Sequence, residues 1–156
     1  MDKLLDKIFF RSRNLDYISH NIKKINQETS AYKVFEAINN FNETSEVRYV
    51  GGCIRKIIKK EEVDDIDLAT NLIPKDVCNA LKKKNINFYE TGIDHGTITA
   101  IMGDQKYEIT TLRKDVSTDG RHAKVEFSLD WKEDSNRRDF SINAIYSDKD
   151  GNLFDP

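Results

Sequence analysis

All seven glycines and both prolines of this 156-residue chain lie after residue 50. These residues interrupt helices most strongly, at about 1 kcal/mol for glycine and about 3 kcal/mol for proline relative to alanine. The first third is therefore free to be helical, whereas the remainder must be broken into short, turn-rich elements. Within the first third, Tyr32, Phe35, Ile38 and Phe41 recur at three-residue steps with Val34 and Ala37 beside them. That spacing predicts an amphipathic helix packed on a core, with residues 42–45 as its exit loop.

From Val47 the texture changes. Residues 47–50 read as a strand that meets Gly51-Gly52. The following helix buries Cys53, Ile54, Ile57 and Ile58 and exposes Arg55, Lys56, Lys59 and Lys60. Residues 66–69 read as a strand, and Thr70 or Asn71 as the cap of a helix with Pro74 in its first turn and Lys82-Lys83-Lys84 at its end. Three more strands are expected at 87–90, 97–102 and 106–112, with Gly103-Asp104 turning the last two into a hairpin. Residues 113–130 are polar without a sustained period and read as a long loop, residues 131–140 as a helix, and 148–151 as the turn of a last short hairpin. The order is mixed, α/β (α+β): a small mixed β-sheet flanked by helices and preceded by a helical N-terminal segment. We divide it as a segment over 1–45 and a domain over 46–156.

Composition narrows the partners. With 38% hydrophobic and 33% charged residues the chain has the profile of a globular domain. No run approaches the roughly 20 apolar residues of a membrane span, and the charged start has no apolar run of a signal peptide behind it, so we expect a cytoplasmic protein without a membrane partner. Cys53 and Cys78 are too few for a disulfide framework and are expected as reduced thiols. Net charge is −2, which excludes a polycation, but residues 1–60 hold 12 basic against 7 acidic side chains and residues 61–156 hold 13 against 20. An acidic half points to carboxylates that need cations, or to an ordinary solvated surface. Oligomeric state is not legible.

The chemistry concentrates in Gly51-Gly52-x-x-Arg55 followed by Asp65-Ile66-Asp67. Side chains alternate along a strand, so Asp65 and Asp67 share one face while Ile66 and Leu68 enter the core. Two carboxylates in one small space repel unless a cation neutralises them. Oxygen-only ligands suit Mg²⁺, which keeps several waters and completes its shell with substrate phosphates. Taken alone, the pair is equally an exposed Asp-x-Asp in an acidic chain. A strand ending in Gly-Gly at a helix start brings unpaired N–H groups close to an anion, although Gly51-Gly52 also fits a mere tight turn. Phosphate seat and metal-ready pair together describe nucleotidyl transfer. Glu108 is the candidate third carboxylate, projecting opposite Tyr107 and Ile109 from a strand beside the first, or else an ordinary solvent-facing Glu. Arg137, Arg138, Asp139 and Asn143 offer forked donors for phosphate and partners for ribose, or a surface salt-bridge run. His95 is expected to orient a turn, and His122 to be an exposed loop residue.

Together these residues resemble the class II tRNA nucleotidyltransferase and bacterial poly(A) polymerase family, within the DNA polymerase β nucleotidyltransferase superfamily. The resemblance runs over residues 47–156. It rests on the segments 50–55, 65–70, 91–97, 108–113 and 137–144 in the family's order. It implies a head domain with Asp65 and Asp67 as metal ligands, Arg138 and Asp139 at the incoming nucleotide, and the 3′ end of an RNA as substrate, most often tRNA receiving CCA from CTP and ATP. Lys56 stands where the family usually has Asp, and Lys60 where it has a loop glycine. Beyond Asp155-Pro156 the family continues into a base-selecting neck and a tRNA-binding body. The alternatives are a poly(A) polymerase head and a non-catalytic nucleotide- or RNA-binding remnant.

Overall fold

The computed structural model describes residues 12–63, 65–118, 123–138 and 144–156. Among the described residues two helices come first, α1 (Ser12–Glu28) and α2 (Ala31–Asn39). In α1, Ile18 and Ile22 are buried, and in α2 so are Ala31, Val34, Phe35, Ala37 and Ile38. The expected α2 stripe needs one correction. Tyr32 is 46% exposed, because the buried face is set by positions 31, 34, 35 and 38, spaced as i, i+3, i+4 and i+7.

The sheet has seven strands in the order β3-β4-β5-β2-β1-β8-β9. They are β1 (Val47–Val50), β2 (Ile66–Thr70), β3 (Asn87–Gly92), β4 (Thr97–Met102), β5 (Gln105–Thr111), β8 (Tyr146–Ser147) and β9 (Leu153–Phe154). β2 and β5 run parallel, and every other neighbouring pair is antiparallel. The helices α3 (Gly52–Ile58) and α4 (Pro74–Lys83) follow β1 and β2. A 3₁₀ turn at Ile93–His95 separates β3 from β4.

Three expectations are corrected. Residues 113–130 are not one long loop: β6 (Arg113–Thr118) and β7 (Ala123–Phe127) pair as a separate antiparallel ribbon. β6 is polar and carries no apolar alternation, so the alternation of Ala123, Val125 and Phe127 in β7 has no visible partner strand in the sequence. Neither Thr70 nor Asn71 caps α4, whose N-cap is Ile73 with Pro74 at the first turn. The Asn71 side chain instead accepts from the Glu46 amide and donates to the Thr44 carbonyl, both at 2.8 Å, and the Thr70 hydroxyl donates to the Glu46 carbonyl at 2.8 Å. Both side chains thus tie down the start of β1. Lastly, the helix after β7 is α5 (Trp131–Asn136), so Arg137 and Arg138 lie past its end.

Strand alternation divides the apolar residues between two faces. Tyr49, Leu68, Ile98, Tyr107 and Ile109 belong to the main core, which α1 to α4 cover. Each such buried side chain contributes about 1.5 to 3 kcal/mol. Their neighbours Val50 and Ala69 face the other way and join Leu112 and Tyr146 in a small second cluster, with Trp131 and Phe154 against it. Asp67 and Glu108 have the parity of this second face. Both cysteines are buried free thiols. Among the described residues no helix is long and apolar enough to cross a membrane.

Candidate functional site: a cleft between carboxylates and arginines

β2 and β5 pair in parallel with Asp67 directly opposite Glu108. The core-facing residues on either side, Ile66, Leu68, Tyr107 and Ile109, are all buried, which fixes the register and forces both carboxylates onto the second face. Asp65 sits just before β2 rather than within it. It remains close enough to act electrostatically on Asp67. Burial, the Glu108 carboxylate and the hydrogen bond to it, and then Asp65 push the Asp67 carboxyl up to about 6, against a smaller opposing pull from Arg138.

The glycine pair lies against these carboxylates. Gly51, the N-cap of α3, has φ +67° and ψ −122°, a conformation that side chains oppose. At Gly52 a Cβ would stand 3.3 Å from Asp67 Oδ2 and 3.9 Å from Arg55 Nη2. A side chain there would crowd the carboxylate, so the glycine lets the backbone at the start of α3 approach Asp67.

Four arginines share this site. A cleft of about 420 Å³ is lined by Gly51, Gly52, Arg55, Asp67, Arg113, Arg137 and Arg138, with Val50, Leu68 and Thr110. Asp134, buried at 1% exposure, holds two of these arginines. Arg137 Nε and Nη2 lie 3.2 and 3.1 Å from its Oδ1, and Arg138 Nε and Nη2 lie 3.1 and 3.0 Å from its Oδ2. The Tyr146 hydroxyl donates to Oδ2 at 2.6 Å and the Arg113 amide to Oδ1 at 3.1 Å. Burial alone would raise this carboxyl, yet Arg138, the Tyr146 hydroxyl, Arg137 and the Arg113 amide hold it below the usual carboxylate range. Arg113 Nη1 donates to the His95 carbonyl at 3.1 Å, while its Nε is buried with no hydrogen-bond partner among the described residues. Burial, and after it the charge of Arg137, depress the Arg113 guanidinium. An anion entering the cleft would offset the mutual repulsion of Arg113 and Arg137.

The family model of the poly A polymerase head domain matches residues 47–156. The chain belongs to that head-domain family. Among its relatives is the human CCA tRNA nucleotidyltransferase 1, mitochondrial, 44% identical over 114 residues, which are 72% of this chain and 26% of the human protein. A CCA-adding enzyme of Lactobacillus delbrueckii subsp. bulgaricus is 35% identical over 137 residues, 86% of this chain and 33% of its own. The fold resembles the crystal structure of the Bacillus stearothermophilus CCA-adding enzyme in complex with CTP, at TM-score 0.67 and 29% identity, over 81% of this chain and 29% of that one. The chain spans about a quarter to a third of the length of these proteins.

Within the head domain, the structure brings together Gly51, Gly52, Arg55, Asp67 and Arg138 around one cleft, with Glu108 and Asp65 beside Asp67. Asp139 and Asn143, read from the sequence as nucleotide contacts, lie outside the described residues, as does His122. His95 serves the architecture through its backbone carbonyl, while its residue surface is exposed. Sequence reasoning gave no role to Arg113, Asp134 or Tyr146. The i, i+3 and i, i+4 spacing of Asp134 to Arg137 and Arg138 was the available signal. A larger hollow of about 770 Å³ opens beside Trp131 and Phe154. There the Arg48 guanidinium lies 4.0 Å from each ring centre and pairs with Glu46. Asp130, Glu133 and Asp155 line it, but with one arginine against the four of the smaller cleft.

The donor set fits a hard divalent cation. Asp67, Glu108 and Asp65 offer only oxygen, and the raised Asp67 carboxyl registers negative charge without enough compensation. Among the described residues no three carboxylate, imidazole or thiol groups are spaced to enclose an ion unaided. That suits an ion which takes one or two carboxylates and fills its remaining positions with water and phosphate oxygens.

Proposed function

We propose that this head domain is the nucleotide-binding and catalytic part of a tRNA nucleotidyltransferase, which extends a tRNA 3′ end with C and A residues taken from CTP and ATP. The observation that carries the reading is a cleft lined by Asp67 together with Arg55, Arg113, Arg137 and Arg138, with Glu108 beside Asp67 on the adjacent strand. A triphosphate needs cationic forks along its chain and counter-charge where the new bond forms, and the arginines and the carboxylates offer one each.

In the proposed reaction the RNA 3′-hydroxyl oxygen attacks the α-phosphorus of the bound triphosphate. The bond from that phosphorus to the bridging oxygen breaks, the hydroxyl proton passes to water, and pyrophosphate leaves. The arginines hold the triphosphate and neutralise charge on the departing pyrophosphate. The Gly51-Gly52 backbone leaves room for the phosphates to approach α3. Asp67, with Glu108 and Asp65, would hold a divalent ion, Mg²⁺ in our reading, which when bound supplies charge stabilisation at the attacking and leaving oxygens. Asp139 and Asn143 are proposed as ribose contacts. We assign this work to the cytoplasm, although three vertebrate relatives are named mitochondrial; a fluorescent fusion separates the two compartments.

The test is incubation of the purified chain with tRNA lacking its 3′ CCA, Mg²⁺ and labelled CTP or ATP. Incorporation that requires Asp67 is expected. Incorporation of A alone onto unrelated RNA would replace the reading by poly(A) addition. Triphosphate binding with no incorporation would reduce the chain to a binding module.

A further inference from the structure

Asp134 is not among the residues that line the cleft, yet four groups from three parts of the chain converge on it. Each oxygen has its own set of donors: Oδ1 takes Arg137 and the Arg113 amide, and Oδ2 takes Arg138 and the Tyr146 hydroxyl. Tyr146 is fully buried, and the Arg138 guanidinium lies 5.7 Å from the centre of its ring. Arg138 therefore meets a carboxylate along its Nε–Nη2 edge and an aromatic ring beside it. That leaves Nη1 as the guanidinium nitrogen not engaged by Asp134.

Holding long, flexible side chains costs rotamer entropy, up to about 2 kcal/mol each. A fixed buried anion meets that cost before any substrate arrives, which is the general route to tighter binding by preorganisation. From this geometry we propose that Asp134 is a positioning residue for nucleotide binding, presetting the guanidinium planes of Arg137 and Arg138 so that their outer edges face the triphosphate. The proposal rests on the nucleotidyltransferase reading above and deepens it.

The experiment combines a double-mutant cycle with a direct view of the arginines. Asp134→Asn keeps the size of the side chain and an oxygen for one donor but removes the charge. Its Kd for a non-hydrolysable triphosphate should rise about tenfold or more, while its Kd for tRNA changes less than about twofold. Because Asp134 works through Arg138, adding Asp134→Asn to Arg138→Ala should weaken triphosphate binding by only a further two- to threefold or so. Full multiplication of the two effects, or equal weakening toward tRNA, would overturn the proposal. Arg138→Lys needs no change at Asp134 and so stands even if Asp134→Asn fails to fold. It keeps the charge and loses the fork, and triphosphate binding within about twofold of wild type would also overturn the proposal. The Arg137 and Arg138 Nε protons, followed by NMR in the free protein, should exchange slowly in the wild type and rapidly in Asp134→Asn. Unchanged exchange would refute the positioning role. If the wild type binds neither nucleoside triphosphate nor inorganic triphosphate, the functional reading fails, and proton exchange alone still decides whether Asp134 sets the arginines.

Discussion

Asp67 and Asp134 flank the same cleft on the same side of the sheet, both largely withdrawn from water, and their carboxyls move in opposite directions. Asp134 sits among arginines, a phenol and an amide, so its charge is matched from within the chain. Burial first, then the Glu108 carboxylate and Asp65, raise the Asp67 carboxyl to about 6, against a smaller opposing pull from Arg138. A carboxylate matched internally builds structure, whereas one left unmatched is a request for an external cation. The comparison separates scaffold from chemistry without reference to any relative.

The largest effect expected is at the unmatched member. Asp67→Ala should reduce nucleotide transfer by at least ~10³-fold, about 4 kcal/mol of barrier, with the fold retained by circular dichroism. Mg²⁺-dependent turnover near the wild-type rate would erase the distinction between the two carboxylates.

Asp134→Ala should act first on stability. Removing one member of a buried charge network strands the others, at about 3 to 5 kcal/mol. Thermal unfolding should show this as a large fall in Tm, whereas a fall of only a degree or two would mean that the arginines find other partners.

Arg138→Ala sharpens the comparison from the cationic side. Losing charged hydrogen bonds worth about 1.5 to 3 kcal/mol should weaken triphosphate binding roughly 10- to 100-fold and leave RNA binding nearly unchanged. Titration with a non-hydrolysable triphosphate measures it.

The smallest effect is on pH dependence in metal-free protein. Asp67 has a folded pKa above its unfolded value of 3.8, so the folded state binds the extra proton and loses stability as pH rises from about 4 through 6. Asp134 is depressed and behaves oppositely: its contribution is present above its unfolded pKa and is lost as pH falls through the lower folded value. Asp67→Asn should therefore stabilise the metal-free chain at pH 7 by roughly 1 kcal/mol after discounting solvent screening, a Tm gain of about 2 to 4 °C, and added Mg²⁺ should reverse the ranking. A pH-independent difference between variant and wild type would break the argument.

The unmatched wall was legible in the sequence because its signal is local. Strand alternation puts Ile66 and Leu68 inside and Asp67 outside and does the same for Tyr107, Glu108 and Ile109, while the placing of the two strands together came from the chemistry, which calls for a third carboxylate beside the pair. The matched wall was not legible as a unit. Arg137 and Arg138 stood out as a pair, but the Arg113 amide and the Tyr146 hydroxyl reach Asp134 across 21 and 12 residues of sequence, and no local pattern encodes such convergence. The β6–β7 ribbon is hard to read for a related reason: Lys114, Asp115, Ser117 and Thr118 leave β6 without an apolar face, and the alternation of Ala123, Val125 and Phe127 in β7 then has no partner to reveal it. Asn71 and Thr70 were read as caps because their chemistry suits capping, and tertiary partners at Glu46 and Thr44 outbid that local use.

At Gly151, φ is +84°, and a Cβ would fall 2.3 Å from the backbone oxygen of Ser19. The turn between β8 and β9 is thus pressed against α1, a helix that precedes the family match at residue 47. The same helix sends Ile18 and Ile22 into the core and accepts the Tyr49 hydroxyl on Asn26 at 2.8 Å. The consequence concerns cooperativity. The first described helix and the last hairpin close over one another like the two ends of a belt, so the unit that melts extends beyond the head-domain match at residues 47–156. A chain begun at residue 47 would lose the cover over Tyr49 and the stop against Gly151 together, and would unfold as a weaker, less cooperative body than its sequence kinship suggests.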